Sequence, residues 1–255
     1  MIPDTVRSSL RQLRLSGLQR TLELRLQEAR GNQLTHLEFL ELLLQDEMNI
    51  RAQRKITRRV KAAAFHEQRV LDQFDFSFNT IDRRQIYQLA TCDYVREGRC
   101  VLFVGPPGVG KSHLAQALGQ AAIVQGFTVL YKSVFTVARD FMKDEALQGQ
   151  TDILRHYLRT DLLIIDDMGM KELDRKSSEH LLEVILRRHG LKSTIMTSNR
   201  PLEDWGKLLG DNATATAILD RFLEQADLIE IKGRSYRLNN RACSKSAAPV
   251  SVPEQ

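Results

Sequence analysis

Apolar positions recur along this chain with two different periods. Between residues 3 and 30 the spacing is helical. Val6, Leu10 and Leu13 make one short stripe, and Leu18, Leu22, Leu26 and Ala29 make a second. Ser16-Gly17 separates them, Ser16 is the expected N-cap of the second helix, and Gly31 ends it. Thr35-His-Leu-Glu38 has the spacing of a capping box and starts a third helix. No Gly or Pro interrupts that helix before residue 70, so it is expected to be long.

Further along, short apolar runs alternate with helical patterns. Residues 100–104, 128–131, 162–165, 194–197 and 228–231 read as five strands, the first and third of them buried. Helices are expected at about 82–96, 113–125, 133–147, 153–158, 175–188 and 215–225. This alternation predicts an α/β fold with a five-stranded parallel sheet covered by helices on both faces. A small all-helical domain (1–74) precedes it, the α/β domain takes 75–238, and 239–255 is a polar tail expected to be disordered. Phe74-Asp-Phe-Ser-Phe78 alternates aromatic with polar residues. It reads as an extended linker or edge strand that either roofs a purine ring or packs on the core.

One stretch carries chemistry directly. Gly105, Pro106, Pro107, Gly108, Val109, Gly110, Lys111 and Ser112 fit the phosphate-loop pattern G-x-x-x-x-G-K-[ST], between a predicted strand and a predicted helix opened by His113. Glycines let backbone N–H groups turn inward on a phosphate, and the helix N-terminus adds its dipole. Lys111 is expected to reach the β- and γ-phosphates of ATP, and Ser112 to offer its hydroxyl to Mg²⁺.

A second strand ends in paired acids. Leu162-Leu-Ile-Ile-Asp-Asp167 delivers two carboxylates to the strand end, where ligands bind in open α/β sheets. Consecutive residues of an extended strand point to opposite sides, so the two acids are expected to differ in role. Asp166 is the Mg²⁺ partner and Asp167 the candidate general base. Thr197-Ser-Asn199 ends the next strand, and the Asn199 amide can orient an attacking water or meet the γ-phosphate.

Charge adds a second surface. The whole chain carries 37 Lys+Arg against 32 Asp+Glu, a modest +5. Between Met48 and Val70, however, there are seven Lys/Arg and one acid, Glu67. At 100° per residue, Ala52, Ile56, Val60 and Ala63 fall on the side of Met48, with Arg51, Arg54, Arg58 and Lys61 opposite. A face of one sign points to nucleic acid or another acidic partner. Cys92, Cys100 and Cys243 form no C-x-x-C pair, and no apolar run approaches the length of a membrane span. A soluble cytoplasmic protein with reduced thiols is expected.

With loop, paired acids and strand-end Asn in this order, the chain resembles the AAA+ ATPases of the initiator and helicase-loader branch. Within it, the chain looks most like the IstB family of transposition helper ATPases, with the DnaC helicase loaders similar in layout. Ile218-Leu-Asp-Arg-Phe222 and Gly233-Arg-Ser-Tyr-Arg237 extend the resemblance. The resemblance implies that Asn199 is sensor 1 and that Arg221 is an arginine finger acting on nucleotide held by a neighbouring subunit. Arg237 stands where sensor 2 would, although the usual C-terminal helical lid is absent. It also implies a homo-oligomer assembled with ATP on double-stranded DNA, and a transposase as client. Three other readings stay open: a helicase loader, a small-molecule kinase, and a nucleotide-gated scaffold with little turnover.

Overall fold

The computed structural model describes residues 2–146, 152–170, 172–209 and 212–236. Arg237, Cys243 and the tail at 239–255 lie outside the described residues. Contacts divide the chain into two units between Arg59 and Val60.

The first unit holds α1 (Asp4–Gln12), α2 (Ser16–Gly31) and the greater part of α3 (His36–Ala63). Its core is Ile2, Leu18, Leu22 and Leu43, with Leu10, Leu15, Leu26 and Phe39 packed against it. The capping box forms as the spacing predicts: Glu38 N–H donates to Thr35 Oγ1 at 3.3 Å, and Thr35 N–H donates to Glu38 Oε2 at 2.8 Å. The cap of α2 differs. Ser16 is its first residue, and no side chain at the Leu15 cap position accepts a bond. Glu47 of α3 does that work, accepting the N–H groups of Gly17 and Leu18.

Glu47 also gathers polar partners around this end of α2. It is buried, and burial pushes its pKa up, yet bonds from Arg51, Leu18 and Gly17 outweigh this and hold it below the usual carboxylate range. Arg51 Nε donates to Glu47 at 2.7 Å and its Nη2 to the Arg14 carbonyl at 3.3 Å, while Arg54 bonds to Ser16 Oγ. Leu37, Leu40, Leu44 and Met48, at helical spacing, are left exposed, Leu37 at 75% and Met48 at 63%.

The second unit begins within α3, earlier than the boundary expected at residue 74. Ala63 is fully buried, Ala64 turns the chain with φ 58°, and the Phe65 ring lies 6.0 Å from that of Tyr131. The end of the helix therefore belongs to the packing of the sheet.

That sheet runs in the order β2 (Val129–Ser133), β3 (Leu162–Met168), β4 (Ser193–Ser198), β1 (Cys100–Val104), β5 (Ala226–Glu230), with every neighbouring pair parallel. The predicted α/β class and the five strands stand. Helix α6 (Lys111–Val124) covers one face, where an added Cβ on Gly119 would meet Ile164. On the other face α7 (Val134–Ala146), α9 (Arg175–Arg188) and α11 (Asn212–Leu223) enclose a core with Leu163, Ile165, Met196, Trp205 and Phe222. Short helices α4 (Arg83–Leu89), α5 (Asp93–Arg96), α8 (Ile153–Arg159) and α10 (Trp205–Leu208) complete it.

Two predicted elements differ. The single helix at 82–96 is split, because Cys92 takes a left-handed conformation with φ 61°. Residues 74–78 form no strand; a 3-10 turn (Leu71–Gln73) leads into turns there, and the local ladder is an antiparallel bridge between Thr80 and Lys232. Cys92 and Cys100 are buried free thiols. Among the described residues no helix is long and apolar enough to cross a membrane.

Candidate functional site

The strand ends converge as parallel registers require. Val104 of β1 and Met168 of β3 both lie beside Ser198 of β4. The phosphate loop leaves β1, the acids end β3, and Asn199 follows β4, its N–H donating to the Met168 carbonyl at 3.1 Å. The loop, both acids and Asn199 are thus gathered at one edge of the sheet.

The loop curls as its glycines allow. Gly108 has φ 83° and Gly110 φ 101°, conformations that cost a side-chain-bearing residue strain. Space forbids a Cβ as well: at Gly108 it would collide with Ser235, and at Gly110 with the Phe74 ring. Pro106 and Pro107 stay exposed at the tip, and Val109 is buried with its carbonyl accepting Asn79 Nδ2 at 2.8 Å. Lys111 is buried, and its ammonium donates to the carbonyls of Gly105 and Pro106 at 2.8 Å each. Its charge therefore sits inside the curl. His113 bonds through Nε2 to the Val70 carbonyl at 3.1 Å, and its ring stands edge-on to Phe74 at 5.3 Å. Burial holds the His113 pKa below the usual imidazole value, so it is neutral near pH 7.

Ser112 and Asp166 meet directly, Ser112 Oγ donating to Asp166 Oδ1 at 2.9 Å. Asp166 is 2% exposed. Two further hydroxyls close on it, Tyr131 Oη at Oδ2 and Thr197 Oγ1 at Oδ1. A buried carboxylate beside a serine hydroxyl is a set of hard oxygen donors, which suits Mg²⁺ completed by phosphate and water.

The expected strand alternation fails at Asp167. The β3–β4 register shifts between Ile165 and Met168, and Asp167 has φ 65° with its N–H bonded to Thr197 Oγ1 at 3.1 Å. The irregularity, with residue 167 left-handed, interrupts the regular pleat that strict alternation assumes.

Arg221 is not gathered with this set. It is exposed on α11 and its guanidinium pairs with Glu224 at 3.3 Å. Along α3, Arg51 and Arg54 are engaged within the first unit, whereas Lys55, Arg58 and Lys61 are exposed.

Several groups were not singled out from sequence. Tyr131 and Thr197 surround Asp166, and only strand register could have found them: Ser133 lies beside Asp166, so Tyr131 two residues earlier shares its face. Asn79 and the segment after β5 clasp the loop, with Tyr236 N–H donating to the Gly108 carbonyl at 3.0 Å.

A parallel sheet in the order 2-3-4-1-5, with a phosphate loop after β1 and acids ending β3, defines a P-loop fold of the AAA+ type. The chain belongs to the family described as IstB-like ATP binding protein, whose profile matches residues 8–244. It is 36% identical over 250 residues to a protein named as an ATP-binding protein of insertion sequence IS21 from Pseudomonas aeruginosa, covering 96% of this chain and 94% of that one. A similarly named protein of insertion sequence IS5376 from Geobacillus stearothermophilus is 35% identical over 218 residues, with 84% and 85% covered. Among solved structures, the DnaC helicase loader superposes with a TM-score of 0.51 at 26% identity, over 69% of this chain and 99% of that one.

Proposed function

We propose that this chain is a Mg²⁺-dependent ATPase that assembles on double-stranded DNA and recruits or activates a transposase. The observation carrying the ATPase reading is the meeting of Ser112 with buried Asp166 beside a loop whose curl holds the Lys111 ammonium. Loop N–H groups and the α6 N-terminus would cradle the phosphates, and Lys111 would exchange its loop carbonyls for β- and γ-phosphate oxygens. Ser112 and Asp166 would hold Mg²⁺, which supplies charge neutralisation to the phosphates. Asp167 would take a proton from the attacking water, which Asn199 would orient.

Membership of the family and the insertion-sequence names of its relatives support the transposition setting. The likeness to DnaC keeps a helicase-loader client as the second reading. In the first unit, the exposed Leu37–Leu40–Leu44–Met48 stripe is the surface we assign to the protein client. Pull-down with the transposase or with a replicative helicase separates the two readings.

For DNA, we assign Lys55 and Arg58, since Arg51 and Arg54 already have partners. Lys55→Glu with Arg58→Glu is expected to weaken binding equally for all sequences. The slope of log affinity against log salt should fall by about 2, roughly one per phosphate contact. An unchanged slope would move the contact elsewhere.

The site is completed between subunits in this account. Arg221, exposed and paired only loosely to Glu224, is the group assigned to a neighbour's γ-phosphate. Arginines in that role are worth roughly 10³ to 10⁵ in rate. Arg221→Ala is therefore expected to bind ATP normally and hydrolyse poorly. Mixed with Lys111→Ala, it should regain activity, because each variant spoils a different half of the site. Confirmed mixed assemblies as inactive as their components would refute the shared site.

A further inference from the structure

The two oxygens of Asp166 have different partners. Oδ1 receives Ser112 and Thr197, while Oδ2 receives Tyr131. Tyr131 reaches it from the neighbouring strand: it lies beside Ile164 in register, on the face that α6 covers. Tyr131 is buried, with the Phe65 ring at 6.0 Å from its own and the His66 ring edge-on at 5.3 Å.

We propose that Tyr131 is a positioning residue for the magnesium-binding carboxylate, holding Oδ2 so that Oδ1 faces Ser112 and the bound nucleotide. This rests on the ATPase reading above. A carboxylate rotates about its own bond, and three hydroxyls on one buried acid can satisfy it in more than one orientation. Ser112 and Thr197 both act on Oδ1 and cannot alone fix which oxygen is offered. The Tyr131 bond goes to the oxygen that Ser112 leaves alone, so it can persist while Ser112 turns to Mg²⁺. Groups that orient a metal's carboxylate in this way typically change metal affinity or activity by 10- to 100-fold.

The test is Tyr131→Phe, which removes one hydroxyl and keeps the ring against Phe65 and His66. Binding of a fluorescent ATP analogue to the full chain is followed as Mg²⁺ is titrated, alongside phosphate release. Tyr157→Phe is the control. Tyr157 is also a buried tyrosine bonded to a carboxylate, Asp140 at 2.9 Å, but not to the acid pair. The expected result is a rise of about tenfold or more in the Mg²⁺ concentration at half-effect for Tyr131→Phe. Nucleotide binding without Mg²⁺ should match the wild type, any fall in melting temperature should be comparable in Tyr131→Phe and Tyr157→Phe, and Tyr157→Phe should not move the half-point. An unmoved Mg²⁺ half-point in Tyr131→Phe would overturn the role, as would an equal shift in Tyr157→Phe or an equal loss of binding without Mg²⁺. A wild-type chain that binds nucleotide without any Mg²⁺ dependence would overturn the ATPase reading itself, and this proposal with it.

Discussion

Arg188→Met is expected to lower the folding stability of the second unit by roughly 3–5 kcal/mol, because several buried carbonyls lose a shared donor. Arg188 is 1% exposed at the end of α9. Its guanidinium donates to the carbonyls of Tyr157 at 2.7 Å, Thr160 at 2.8 Å, Asp161 at 3.4 Å and Ser193, and to Thr194 Oγ1 at 3.1 Å. No carboxylate oxygen is among these partners, and burial pulls the Arg188 pKa down to about 10. One side chain thus ties the end of α8 and the approaches to β3 and β4 to α9. Methionine fills much of the volume but leaves those carbonyls without a donor, each costing about 1–3 kcal/mol if it stays dry. Arg188→Lys keeps the charge with fewer, differently placed donors and should fall between. Urea unfolding checks this: the midpoint should drop with the slope unchanged. An unfolding free energy within about 0.5 kcal/mol of wild type would show that water replaces the guanidinium at little cost.

Asp167→Asn is expected to cut steady-state ATP hydrolysis by about 100-fold or more while leaving ATP affinity within about twofold of wild type. The amide preserves size and hydrogen bonding but cannot take a proton. Its backbone is already bulged, with φ 65°, a conformation Asn tolerates better than most residues, so folding should be unaffected. Lys111→Ala fails earlier. It removes the ammonium from the loop interior, and with it the charge that meets the phosphates. Equal loss of nucleotide affinity in both variants would contradict this division between binding and hydrolysis.

The site's residues were more legible than their orientation. Gly105–Ser112 could be recognised because few residue types allow that curl, and strand–loop–helix order gave it context. The acids were legible as a pair, but the backbone irregularity at Asp167 was not. Tyr131 and Thr197 were silent because their role depends on register between strands distant in sequence. The break at Cys92 was also silent, since no Gly or Pro marks it. On α3 the basic side is exposed as the wheel predicts, and Ala63 on the opposite side is buried. The wheel did not show that Glu47 caps α2 with Arg51 bonded to it, or that Met48 is left outside. A helical wheel cannot see a partner thirty residues away.

Whether ATP binds at the phosphate loop through Lys111 is tested by equilibrium binding. A fluorescent ATP analogue is titrated against the full chain with Mg²⁺, in parallel with Lys111→Ala shown to be folded by its unaltered melting temperature. Saturable binding to the wild type is expected, with affinity lower by roughly tenfold or more in Lys111→Ala. Equal affinity in the two proteins, or no binding to the wild type at millimolar Mg²⁺-ATP, would contradict it.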